Sequence, residues 1–166
     1  AADGNLVEDL FFRLESRLTA EDIRAFTRIG AYEALLHGTA LVWDHYYHGE
    51  AVAQGLADAG LAGVVAPTLQ DVSGPGASRW EVSLEETLRI AGDENLRSQG
   101  IFAALGPHAP DTVSPDLLRR VADAAQEHEL PVHIHVAQSV DEVARIRELH
   151  GTTSTGYLRE VIEGAP

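Results

Sequence analysis

Two imidazoles stand two residues apart in the run Leu130-Pro131-Val132-His133-Ile134-His135-Val136-Ala137-Gln138. In an extended strand, residues i and i+2 share a face, so His133 and His135 would emerge together while Val132, Ile134 and Val136 point the other way. Neutral imidazoles on one face can bind a metal ion or a polar substrate. They also serve as hydrogen-bonded core residues, and the spacing alone leaves both readings open. Other residues able to do chemistry follow apolar runs in the same manner: Asp44, His45 and His48 after Leu41-Val42-Trp43, and His108 after Gly106-Pro107. His45 and His48 are the weaker of these, placed as readily on the surface as in a pocket. His37, His128 and His150 fall at predicted helix ends, where solvated or capping roles are expected.

The elements that would carry these residues alternate. Thr19 and the acids after it open a helix that runs to Leu36 and stops before Gly38. A strand over 39–46 follows, then a helix from Gly49 to Ala59 closed by Gly60. A short buried strand over 61–67 is expected to end at Pro67, and 70–80, rich in Gly, Pro and Ser, reads as a long surface loop able to form a wall or lid. Arg79 in that loop is expected in a surface salt bridge rather than in a pocket. A helix over 82–90 leads to a third strand, 100–105, and Ser114-Pro115-Asp116 has a cap, a first-turn proline and an acid to start another helix. After the histidine run, helical patterns resume over 139–150 and around Tyr157, Leu158, Val161 and Ile162. The fold class is therefore α/β, built of consecutive βα units. These form either part of a (β/α)8 barrel or an open doubly wound sheet. The absence of a Gly-x-Gly-x-x-Gly or phosphate loop, and the gathering of His and Asp at strand ends, favour the barrel with its site at the C-terminal mouth.

Composition removes whole classes of function. The chain of 166 residues has no cysteine, so any metal must be held by His, Asp or Glu. Its formal charge of −14 opposes binding to a nucleic-acid backbone, which needs clustered cations. No apolar run approaches the ~18–20 residues of a membrane span, and the N-terminus lacks the pattern of a signal peptide. A cytoplasmic protein with a small-molecule partner, and neither nucleic acid nor membrane, is expected.

Several stretches together resemble the amidohydrolase superfamily, in the subgroup of S-adenosylhomocysteine/methylthioadenosine deaminases and triazine hydrolases. They are Leu14-Glu15-Ser16-Arg17-Leu18-Thr19, His37-Gly38-Thr39 through Val42-Trp43-Asp44, Gly106-Pro107-His108-Ala109-Pro110-Asp111-Thr112-Val113-Ser114-Pro115, and His133 through Gln138. The resemblance covers nearly the whole chain and implies one domain, residues 1–166, forming the middle part (about strands 2 to 5) of a TIM-type barrel. It implies that His135 is a ligand of zinc or iron at the end of the fifth strand. His108 and Glu15 then face the substrate, with His133 beside them, and metal-activated water attacks a C–N or C–halogen carbon of a heterocycle. Family members commonly dimerise, so a homo-oligomer is among the implied partners.

Two departures qualify that implication. The family's general acid/base is a Glu three residues after the strand-five histidine, and Gln138 stands there; an amide cannot shuttle a proton. The first-strand His-x-His and the sixth- and eighth-strand ligands have no counterpart in the sequence given. The segment alone is therefore expected to be inactive, and by itself to self-associate through open sheet edges. A divergent, non-catalytic barrel segment or a doubly wound module that binds a small molecule is the alternative.

Overall fold

The N-terminal elements arise from local hydrogen bonding. In the computed structural model, which describes residues 6–163, a π-helical turn at Val7–Phe11 runs into a one-turn helix α1 (Phe12–Glu15). Thr19 then starts α2 (Ala20–Leu36) through a reciprocal cap. Its hydroxyl accepts from Asp22 N, and the Asp22 carboxylate accepts from Thr19 N at 2.9 Å. Gly38, at φ 83°, takes the left-handed conformation that ends the helix. Next come β1 (Leu41–Tyr46), α3 (Gly49–Ala59, closed by Gly60 at φ 74°) and β2 (Ala62–Leu69). They are followed by α4 (Trp80–Gly92) and α5 (Glu94–Ser98), the latter started by the Asp93 carboxylate. Two short strands, β3 (Ile101–Ala103) and β4 (Gly106–Pro107), lead to α6 (Pro115–Glu127), α7 (Val140–His150) and α8 (Ser154–Glu163). Ser114 and Ser139 cap α6 and α7 with their hydroxyls.

The strands pair in parallel in the order β1-β2-β3, with β4 continuing alongside β2. Neighbours in sequence are neighbours in the sheet, so no switch point of the doubly wound kind exists among the described residues. Pro67 does not end its strand as the sequence predicts. It pairs with Tyr46 in register and falls in the interval between the Val65–Ala103 and Thr68–Gly106 pairs, where a missing N–H removes no bond on the β3/β4 side. The histidine run also departs from expectation: it is extended but carries only the single bridge Leu105–Val132. Three backbone bonds align it with β3 and β4: Leu105 N to Pro131 O, His133 N to Leu105 O, and His135 N to His108 O. With a partner on one side only among the described residues, half of its ladder is missing.

The segment 70–80 is irregular, as predicted, but it is not a surface loop: Gln70 and Gly76 are buried, and only Val72 and Ser78 are exposed. Its ends are tied down. Asp71 accepts from Ser114 N at 2.7 Å and Ser114 Oγ at 2.5 Å, while Arg79 donates to Glu86 at 3.0 Å. Arg79 is thus in an ion pair, half-buried rather than superficial.

Two apolar clusters hold the helices on the outer face. One joins α2, α3 and α5 to β2 and β3 through Ile23, Val52, Leu56, Val65, Leu96 and Ile101; the other joins α6, α7 and α8 through Leu118, Val121, Ile146 and Tyr157. On the inner face a layer of Trp43, Val64 and Phe102 gives way toward the C-terminal end to small residues, with Ala66 and Ala104 fully buried. At the C-terminal end of that face Gly106 fits where nothing larger can: a Cβ there would lie 2.6 Å from Pro67 O and 2.7 Å from Ala66 O. Both obstacles are backbone, which cannot rotate away. Gly106→Ala is therefore expected to destabilise the protein by about 1–3 kcal/mol, read as a lowered midpoint in urea denaturation.

Candidate metal and substrate site

Alternation along the strands decides which side chains meet. On β1, Trp43 and His45 face inward, and His45 is in register with Ala66 of β2. His133 and His135 approach from the far side of the sheet. Because alanines occupy the middle, the imidazoles converge over them. The His45 and His135 rings stack with centroids 4.5 Å apart, and His45 meets His133 edge-on at 5.1 Å. One ring nitrogen from each of His45, His133 and His135 lies within 4.8 Å of the others. His108 closes the group, its ring 5.4 Å from that of His135. The spacing of His133 and His135 announced their common face, whereas the arrival of His45 depended on a sheet register that no local pattern reveals. His45 is half-buried with both ring nitrogens shielded from solvent, not on the surface.

Hydrogen bonds fix two of the tautomers. His135 Nδ1 lies 3.1 Å from His108 O, a group that can only accept, so Nδ1 carries the proton and Nε2 keeps a free lone pair. The Thr112 hydroxyl donates to Ala109 O, so the 2.8 Å contact from His108 Nδ1 places that proton on His108 Nδ1 as well. Neither nitrogen of His45 makes a hydrogen bond, nor does His133 Nδ1; the Gly106 backbone acts on His45 only as a small offset to burial. Burial pushes the His45 imidazole down to about 2, helped by the neighbouring His135, His108 and His133. Burial, then His135, lowers His108 to about 4 and lowers His133 in the same way. These three groups are held neutral near pH 7, the form that donates a lone pair to a metal.

A cavity of about 230 Å³ opens beside the imidazoles, lined by Val7, Phe11, Phe12, Glu15, His45, Tyr46, Tyr47, Thr68, His108, His135 and Gln138. It brings Glu15 and His108 together with His135 and Gln138, from three stretches far apart in sequence. His133 stands outside this lining but inside the imidazole group. Burial raises the Glu15 carboxyl above its ordinary value, and a hydrogen bond with Tyr46 partly offsets the rise. Tyr47 donates to the buried Gln70 at 3.0 Å, which fixes one wall. Asp44 faces away from the imidazoles; burial lifts it to about 6 and leaves its Oδ1 without a partner. His48 is drawn off by Arg79, 3.0 Å from its Nδ1, and caps α3 from a left-handed conformation, φ 55°. His37 bonds Glu33 O at its helix end, and His150 stacks on Tyr157.

The model of the amidohydrolase family matches residues 3–165, nearly the whole chain. The chain belongs to the amidohydrolase family. Within it, the chain is 34% identical over 148 residues to a 5-methylthioadenosine/S-adenosylhomocysteine deaminase of Thermococcus kodakarensis, covering 89% of the chain and 34% of that protein. It thus spans about a third of the length of the curated relatives it matches. Among solved structures, a zinc-bound adenosine deaminase from Xanthomonas campestris superimposes with a TM-score of 0.82 at 23% identity, over 94% of this chain and 36% of that one. An atrazine chlorohydrolase from Arthrobacter aurescens, complexed with zinc and atraton, gives 0.73 at 19%, over 94% of this chain and 38% of that one. At these identities the structures establish that the chain shares their fold.

Proposed function

We propose that residues 1–166 form the central part, about strands two to five, of a (β/α)8 barrel in a cytoplasmic, metal-dependent hydrolase. The whole protein would hydrolyse a C–N or C–halogen bond of a heterocyclic small molecule, deamination of an adenosine-like compound being the leading case. The observation that carries this reading is the convergence of His135, His108, Glu15 and Gln138 on one cavity, with His135 Nε2 left free by the bond at its other nitrogen. A zinc or iron ion held through that nitrogen, with ligands from elsewhere in the protein, would supply acidified water for attack. The donor set fits: an imidazole oriented by a carbonyl at its second nitrogen is the arrangement metal-ligating histidines adopt.

The chain's own residues do the rest. His108 presents an Nε2 lone pair able to accept a hydrogen bond from a substrate amine. Glu15, half-buried and bonded to Tyr46, accepts from hydroxyl groups at the cavity's other end. His133 narrows the floor beside His135. Gln138 holds a ligand by its amide but moves no proton, so turnover is slow. Gln138 also favours the second reading, a barrel that binds such a ligand without converting it.

The test is a metal analysis and a hydrolysis assay of the full-length protein with 5-methylthioadenosine, S-adenosylhomocysteine and 5'-deoxyadenosine. Bound zinc or iron and a turnover abolished by chelation, then restored by the metal, is expected. Ligand binding without turnover, in the metal-loaded protein, would establish the second reading.

A further inference from the structure

We propose that His45, His133 and His135 form a three-nitrogen site for a divalent first-row transition ion, built wholly from residues of this chain. His45 and His133 are not the ligands the family resemblance supplies; they are read from the geometry. The site shares His135 with the proposed hydrolase, yet it stands whether or not hydrolysis occurs.

The first observation is distance. One nitrogen from each ring lies within 4.8 Å of the other two. A tetrahedral ion with bonds of about 2.0–2.1 Å holds its ligands roughly 3.3 Å apart. The rings therefore need to close by about 1.5 Å at most, within reach of side-chain torsions. The second observation is independent of distance. Both nitrogens of His45 and Nδ1 of His133 are shielded from solvent and without a hydrogen-bond partner. Buried polar groups are paired in folded proteins almost without exception, and an ion would give one nitrogen of each ring a partner. The third is the His108 carbonyl at His135 Nδ1, which orients that ring and leaves the opposite nitrogen as the donor.

The sheet makes room for the ion. Ala66 is in register with His45, and Ala104 packs with it at the middle of the inner face. Larger side chains at these two positions would occupy the space over which the rings meet. Three neutral imidazoles select zinc, cobalt, nickel or copper over magnesium and calcium, which prefer oxygen ligands. They leave a fourth position open, toward the cavity that His45 and His135 line.

The experiment uses the full-length protein, stripped with a chelator and titrated with Co²⁺ while its visible d–d bands are recorded. His45→Ala and His133→Ala are each expected to weaken Co²⁺ binding by more than about 100-fold, beyond the range of losing a second-shell group, and to change the band pattern. Circular dichroism accompanies each variant. Because a variant can fail to fold, the unsubstituted protein is also followed by nitrogen NMR of its imidazoles, where Zn²⁺ should shift the ring nitrogens of His45, His133 and His135 together. Co²⁺ bound with wild-type affinity by folded His45→Ala and His133→Ala, a Zn²⁺ shift confined to His135, or no binding at all would overturn the proposal. Metal binding by all three residues without turnover would leave it standing and remove only the hydrolase reading.

Discussion

Gln138→Glu should raise the hydrolytic turnover of the full-length protein by ~10²–10⁴-fold, the contribution a positioned general acid/base makes. The substitution adds no volume of consequence. It replaces an amide that lines the cavity beside His135 with a carboxylate able to take a proton from water and return it to the leaving nitrogen. Proton transfer belongs to the transition state, so kcat should climb while KM stays within a few-fold. Steady-state kinetics on the two proteins, with equal metal loading verified, measures this. Unchanged kcat would mean that the proton travels by another group, and Glu15 and His108 are the other titratable residues of this chain closest in role.

Glu142→Ala should destabilise the fold by about 2–6 kcal/mol, because two part-buried hydrogen bonds to its carboxylate are lost at about 1–3 kcal/mol each. Glu142 is fully buried, and its two carboxylate oxygens accept from Ala137 N at 2.9 Å and Gln138 N at 2.8 Å. This clamp holds a turn in which Ala137 adopts φ 56°, a left-handed conformation disfavoured for a residue with a Cβ. Its own N–H is in turn satisfied by Ser139 Oγ at 3.0 Å. Glu142→Gln retains one acceptor oxygen and should lose about half as much. Urea denaturation gives the values; a loss under ~1 kcal/mol for Glu142→Ala would show that water replaces the carboxylate at little cost.

The helices were legible because their ends carry their own chemistry: Thr19 and Ser114 as caps, Gly38 and Gly60 as stops. Helix α5 escaped notice, since five residues show no helical period and Asp93 is its sole signal. Pro67 misled because the rule against proline in strands concerns a donor that happens to be dispensable at this point of the register. The amidohydrolase family was readable from motif order, and the same motifs named Glu15, His108, His135 and Gln138, four of the residues that line the cavity. The place of His45 was not, since it depends on alanines at 66 and 104 leaving space for a ring from another strand. Glu142 was equally hidden: on sequence alone it is one more acid in a helix's first turn.

The pinned segment after β2 bears on the traffic of ligands. Asp71 is fastened to the start of α6 and Arg79 to Glu86, which also accepts from Gly49 N at 2.9 Å, so this segment belongs to the rigid frame behind the Tyr47 side of the cavity. The opposite rim is built differently. It consists of Val7, Phe11, Phe12 and Glu15, on two short helical turns, and α1 buries none of its residues. A segment with so little buried surface opens at small free-energy cost. Ligand entry and exit are therefore expected at the N-terminal rim. Since Glu15 rides on that rim, each opening would also withdraw a polar group from the cavity, and residence time would follow the fraying of a single helical turn.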